Sequence, residues 1–261
     1  MNIVKLLSIG FCSALLSTST LKADIYEGIE FYRNYPVSLD WLPQLLPYNP
    51  IIVEAGAFFG SETCQAAQIW PRGRIIAFEP NPYAFKQLSQ ATSILKNVEI
   101  HRLALNTYTG TALLNICHGM HGIDPSFGYA SSFLPLPGDM QVYCKGPQIE
   151  VPCVVLDDWC REHKIDHIDI LKLELGGMEL QVLKSSPEIL KKTQMVYVQT
   201  LIHPHRLGMT QYNELKEFLR QSNFVLIFHR YTPDITGHAI FLSREVFDAY
   251  FKLSLNMYLD M

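Results

Sequence analysis

Two short segments, close together in the chain, most limit what it can fold into. The first is Ile51-Ile52-Val53-Glu54-Ala55-Gly56-Ala57-Phe58-Phe59-Gly60, and the second is Arg74-Ile75-Ile76-Ala77-Phe78-Glu79-Pro80-Asn81-Pro82. Each is an apolar strand that runs into a turn. Each carries an acid at the strand's C-terminal end, Glu54 in one and Glu79 in the other. In an open α/β sheet, ligands bind outside the carboxyl ends of the strands. The pair makes this chain a candidate cofactor-dependent enzyme.

The rest of the pattern supplies the sheet. From Ile51 onward apolar runs of strand length alternate with helical periodicity. Strands are predicted at Ile51–Glu54, Arg74–Glu79, Val98–Leu103, Ile149–Val155, Ile168–Leu173, Met195–Thr200, Phe224–Phe228 and Ala239–Leu242. Helices are predicted over 60–70, 82–95, 178–186 and 210–221, with a short one from Asp157 and an amphipathic tail from Glu245. Ser61 and Glu62 open the first helix, and Pro82 sits near the start of the second, where its missing N–H costs little. Thr210 is placed to cap the helix that follows it. Thr107–Cys117 alternates around Thr109-Gly110 and reads as a hairpin, and 118–148 as loop. Strands alternating with helices imply a largely parallel sheet.

Composition sets the outer limits. An apolar fraction of 48% in 261 residues describes a globular chain, and a net charge of −4 with no basic block argues against a nucleic-acid partner. The N-terminus has a lysine, a short apolar run and a small residue, Ala23, before Asp24, which is the pattern of a secretory signal peptide over residues 1–23. The run is too short for a comfortable membrane span, and no stable span is expected once it is cleaved. A buried N-terminal helix is the alternative. Residues 24–49 read as an aromatic-rich arm, and 50–261 as the main domain. Of the six cysteines none forms a C-x-x-C pair, so a zinc site is not expected. The remaining cysteines read as buried thiols, or, in an exported protein, as a Cys144–Cys153 disulfide.

The turn itself narrows the ligand. Glu54-Ala55-Gly56 with Gly60 is acid-x-Gly-x-x-x-Gly, and Ala57, Phe58 and Phe59 stand where a pyrophosphate-binding G-x-G-x-x-G would continue. A nicotinamide-dependent oxidoreductase is therefore the weakest reading. A nucleoside without a pyrophosphate suits the turn better, with Glu79 placed to accept from both ribose hydroxyls. Either segment alone is equally compatible with a plain strand–turn–helix bearing surface acids; the two together carry the inference.

Four stretches resemble the FkbM-type methyltransferases, a branch of the class I S-adenosylmethionine-dependent fold. They are Val53–Gly60, Ala77–Pro82, Asn97–Leu105 with Thr109–Ala112, and Leu156–Cys160 with Ile168–Lys184. The resemblance covers roughly residues 50–230. It implies a Rossmann-like, mostly parallel seven-stranded sheet with helices on both faces, and S-adenosylmethionine as cofactor. It implies methyl transfer to a hydroxyl of a sugar or other small polar acceptor. By resemblance, Glu54, Gly56, Ala57 and Gly60 cradle the methionine part of the cofactor. Glu79, Pro80 and Asn81 hold the ribose end, and Ala104 lies near the adenine. Ser131-Ser132 resembles a family position at the site's mouth.

The chain departs from the family at three places on the acceptor side. Glu174 stands for an aspartate, Gly176 for a glutamate and Gln199 for a glutamate. Glu174 is the first candidate for general base or acceptor binding, and His203, with His205, is the second. Surface positions without a role are the plain alternative for each. Lys172 reads as a strand residue with an exposed head. Two readings follow. One is an active methyltransferase. The other is a catalytically idle relative serving as a binding or structural protein of the cell envelope. The N-terminal signal suggests export, whereas the supply of the methyl donor argues for the cytoplasm.

Overall fold

The computed structural model describes residues 45–119, 121–122, 124, 128, 130–138, 141, 144–201, 206–231 and 236–250. The signal segment 1–23, most of the arm, and His203 and His205 lie outside the described residues.

The two opening segments lie side by side. β1 (Ile51–Ala55) pairs in parallel with β2 (Arg74–Phe78), Glu54 beside Ala77 and Ala55 beside Phe78. β3 (Val98–His101) flanks β2 in parallel, and β7 (Ile168–Leu173) flanks β1 on its other side. β8 (Thr193–Leu201), β9 (Phe224–Tyr231) and β10 (Thr236–Ser243) complete a seven-stranded sheet in the order β3-β2-β1-β7-β8-β10-β9. Among the described strands of this sheet only β10 runs against its neighbours. This is the expected mostly parallel α/β sheet. The strand order reverses at β1, where β2 and β7 diverge, and the reversal opens a crevice at the C-terminal ends of these strands.

Helices cover both faces. α1 (Ser61–Ile69) lies on the face that carries Ile52, Ile75, Ile170 and Tyr197, and Leu46 joins this cluster from the described end of the arm. α2 (Pro82–Thr92) buries Leu88 against Ala57 and Ala77. The other face carries Val53, Phe78, Leu171, Leu173 and Val198. It is covered by α3 (Leu156–Glu162), α4 (Glu179–Ser185), α5 (Pro187–Leu190) and α6 (Tyr212–Gln221). Residues 244–250 are helical, as the tail pattern predicts. No helix among the described residues is long and apolar enough to cross a membrane.

Four expectations need correction. Thr107–Cys117 is not a local hairpin. β5 (Gly110–Asn115) pairs antiparallel with β6 (Gln148–Val154), and β4 (Ala104–Leu105) pairs with β6 in parallel. The reason is apolar burial: Ala112, Leu114 and Ile116 find their partners in Val151 and Cys153, whereas Thr107 to Thr109 have no apolar face to offer. The predicted strand Ile149–Val155 therefore belongs to this separate three-stranded sheet.

Cys144 bonds to Cys117, not to Cys153. Backbone hydrogen bonds from Ile116 to Pro147 and from His118 to Lys145 hold the two segments side by side, while Cys153 is buried in the small sheet. Thr210 does not cap its own helix, whose N-cap is Gln211 without a side-chain bond. Its hydroxyl instead accepts from Leu180 N–H at the start of α4 and donates toward Gly177 O. Finally, Lys172 does not expose its head: its side chain is 5% exposed.

Candidate active site

The first turn after β1 is built around one close approach. Gly56 has φ +85°, and a Cβ there would sit 2.1 Å from the carbonyl oxygen of Glu174. Only glycine lets β1 and β7 converge this tightly at the crevice. The amides of Gly56 and Ala57 both donate to Phe78 O, which ties the turn to β2. Gly60 closes the turn and precedes α1.

Glu79 lies at the other side of this turn. It is buried, and each of its carboxylate oxygens accepts one backbone N–H, from Phe58 and from Asn81, both at 2.8 Å. Burial pushes its carboxyl up to about 7 against the pull of those two donors. Each oxygen keeps a further lone pair, so the carboxylate has capacity for two vicinal hydroxyls. Asn81 then caps α2, its Oδ1 accepting from Tyr83 N–H, with Pro82 at the first helical position. Pro80 is half-buried between them. Ala104 is buried in β4, packed with Ala112 and Val151 in the small sheet. An acid between two backbone donors, next to a glycine turn that holds no phosphate-binding fingerprint, fits a nucleoside.

Glu54 is buried at the end of β1, against α1. Its carboxylate accepts from Thr63 Oγ1 of α1 at 2.5 Å and from Lys172 Nζ at 3.0 Å. Lys172 is the hub of a buried cluster, with Glu62 at 2.6 Å and Glu174 at 2.8 Å as well. Burial pulls the Lys172 ammonium down, but the three carboxylates outweigh it and hold it well above the ordinary lysine value. The ammonium is shared three ways. Burial pushes the deepest acid, Glu54, up despite it. Burial acts on Glu174 in the same sense, but Lys172 and the nearby His238 prevail and hold that carboxyl well below the usual range.

The three departures from the family pattern lie at the C-terminal ends of β7 and β8. Glu174 follows β7, and its Oε1 lies 3.5 Å from His238 Nε2 on β10. Gln199 is the register partner of His238. Gly176 has φ +59° and packs beneath Ser132, whose hydroxyl donates to Gly176 O at 3.0 Å. A Cβ at position 176 would come within 3.1–3.3 Å of Ser132 and of Ser131 O, so the family's glutamate has little room here. Gly128 lies over Asn81 and Phe58. Arg206 ties this crossing segment down by donating to Ala130 O and Leu134 O. A cavity of about 390 Å³ lined by Arg72, Arg74, Lys96 and Glu99 sits at the other end of the sheet.

Three groups of this site escape a linear reading. Glu179 is buried and accepts from the amides of Leu175 and Gly177, bracing the β7–α4 turn, and burial pushes its carboxyl up to about 7. An acid placed soon after two glycines at a helix start is a signal for such bracing. Glu62 joins Lys172 only through folding. His238 belongs to no motif, although the alternation of His238, Ile240 and Leu242 marks it as a polar residue on a buried face. Among the described residues no group of three or more potential ligands could hold a metal.

The 2-O-methyltransferase NoeI of Sinorhizobium fredii (strain NBRC 101917 / NGR234) is 25% identical over 155 residues, which are 58% of this chain and 63% of that protein. The methyltransferase sdnD of Sordaria araneosa is 27% identical over 165 residues, 55% of this chain and 62% of that protein. The chain thus spans less than two thirds of the length of these curated relatives. The crystal structure of methyltransferase FkbM from Methylobacillus flagellatus KT superposes with a TM-score of 0.51 at 15% identity, over 81% of this chain and 50% of that one. That likeness concerns the fold. The family model of the methyltransferase FkbM domain matches residues 54–226, more than half of the sequence. The chain belongs to the family of the methyltransferase FkbM domain.

Proposed function

We propose that this protein transfers the methyl group of S-adenosylmethionine to a hydroxyl of a small polar acceptor such as a sugar. The observation that carries the reading is Glu79: a buried carboxylate with one spare lone pair on each oxygen, at the end of β2 and beside the Gly56–Gly60 turn. When bound, the donor supplies an electrophilic methyl on a sulfonium. Glu79 holds the ribose hydroxyls. The backbone of Gly56, Ala57 and Gly60 lines the methionine end, and Asn81 and Pro80 shape the wall beside Glu79. Gly128, over Asn81 and Phe58, and Ser132, over Gly176, exclude water from above. The printed activity of the relative NoeI, 2-O-methyl transfer, supports a hydroxyl acceptor.

Calorimetric titration of the full chain with S-adenosylmethionine and S-adenosylhomocysteine tests the reading. Binding at micromolar ligand that is weakened about 10- to 100-fold in a folded Glu79→Ala variant supports it. Absence of binding at millimolar ligand overturns it.

A further inference from the structure

We propose that His238 is the group that takes the proton from the acceptor's hydroxyl, and that Glu174 is the positioning residue that sets its tautomer; this rests on the O-methylation reading above.

The placement comes from topology. β10 runs antiparallel to β7 and β8, so its first residues meet the C-terminal ends of the parallel strands, at the crevice. His238 lies there, 29% exposed, beside Glu174 and edge-on to Tyr197 at 5.4 Å. Its Nε2 is the nitrogen that faces Glu174 Oε1, at 3.5 Å. Hydrogen bonds of ligand-free active sites are often long and tighten when substrate binds. The same Oε1 is anchored by Lys172 Nζ at 2.8 Å.

That anchor decides the division of labour. A carboxylate clamped by a buried ammonium is a weak base, because its proton affinity is lowered by the neighbouring charge. It is, however, a good acceptor for an imidazole N–H. With Nε2–H turned to Glu174, the lone pair resides on Nδ1, which has no hydrogen-bond partner among the described residues. An imidazole in that tautomer is suited to general-base work near neutral pH.

The step balances as follows. The acceptor's O–H proton passes to Nδ1 of His238. The freed oxygen pair forms the new O–C bond, and the C–S bond breaks with its pair left on sulfur. The imidazolium that results sits against the Glu174 carboxylate. Among the described residues, the charged and titratable groups against His238 are Glu174, just after β7, and Tyr197 of β8, with Lys172 of β7 behind Glu174. Glu62 of α1 and Glu54 of β1 act through Lys172, and Arg230 of β9 is the register partner of His238. The base works only when neutral.

The test uses the full chain with ¹⁵N-labelled histidine and the variants His238→Gln, His238→Asn and Glu174→Gln. In the wild-type spectrum, with His238 assigned by its loss in His238→Gln, Nε2 should be protonated and Nδ1 bare in the neutral form. Glu174→Gln should abolish that preference. The opposite tautomer in the wild type overturns the proposal without any turnover measurement.

The second readout is radiolabelled methyl transfer from S-adenosylmethionine to a mixture of hexose and deoxyhexose methyl glycosides. Both histidine variants should keep donor affinity by calorimetry and lose about 10²- to 10⁴-fold in kcat. A wild type that methylates while His238→Asn matches it overturns this proposal alone. A wild type that binds the donor and methylates no glycoside overturns the O-methylation reading and this proposal with it.

Discussion

The two halves of the crevice hold their carboxylates by different means. Glu79 is fixed by backbone, through the amides of Phe58 and Asn81. Glu174 is fixed by side chains, through Lys172, which also serves Glu54 of β1 and Glu62 of α1. A backbone cradle survives the loss of any one neighbouring side chain. A side-chain hub does not, because its members neutralise one another. The donor half is therefore expected to be robust and modular, and the acceptor half cooperative and fragile.

The hub offers the largest test of that contrast. Lys172→Met removes a buried ammonium and leaves three carboxylates facing one another. Stripping one partner from a buried ion cluster costs about 3–5 kcal/mol. The value should fall toward the lower end, because Glu62 and Glu174 are 38% and 25% exposed and regain water. Urea unfolding at pH 7.5 measures it. A loss under about 1 kcal/mol, a size typical of exposed pairs, would show that the hub is not coupled.

Glu79→Ala should cost less stability than Lys172→Met and act chiefly on the donor. Hydrogen bonds to a charged group contribute about 1.5–3 kcal/mol, so calorimetry should show donor affinity weakened by about 10- to 100-fold with the circular dichroism spectrum unchanged. If both variants unfold the chain equally, the contrast between the halves fails.

The same carboxyl makes donor binding depend on pH. Burial raises Glu79 to about 7, and ribose hydroxyls donate to its ionised form. In the free chain a raised acid stabilises the fold fully below its ordinary value near 4.5, and this contribution is lost as pH climbs through about 7. Binding runs the other way: donor affinity is full above about 7 and falls as the group protonates. One pKa unit corresponds to about 1.4 kcal/mol, so the dissociation constant should weaken about tenfold from pH 8 to pH 6. Glu79→Gln should flatten the profile. A wild-type profile without slope would sever Glu79 from the donor.

What could be read along the chain follows the same division. Glu79 and its helix cap are contiguous in sequence, and a strand ending in acid-Pro-Asn-Pro carries that meaning when read together with the Glu54–Gly60 turn. The paired strands β1 and β2 were legible because buried parallel strands are near-continuous apolar runs. Lys172 was not legible as buried, since the acids that justify its burial come from β1, α1 and beyond β7. Nor was the pairing of β5 with β6, whose strands are separated by the segment that the Cys117–Cys144 bridge closes. Local chemistry reads from local sequence, whereas hubs assembled across strands do not.

Thr210 gives the smallest and most local version of this lesson. Read along the chain it caps the helix after it; in the fold it serves the one before. Its hydroxyl accepts from Leu180 N–H at 3.2 Å, and lies 2.8 Å from Gly177 O and 2.9 Å from Gln181 Oε1. The β7–α4 turn carries Glu174, so this cap braces the acceptor half. Thr210→Val keeps the shape and removes the hydroxyl. Loss of a helix cap costs about 1 kcal/mol, and urea unfolding should show that amount. Amide exchange separates the two roles: the faster exchange should appear at Leu180 and its neighbours in α4. If it appears instead in the first turn of α6, Thr210 caps its own helix after all, and the acceptor half loses one of the braces that distinguish it from the donor half.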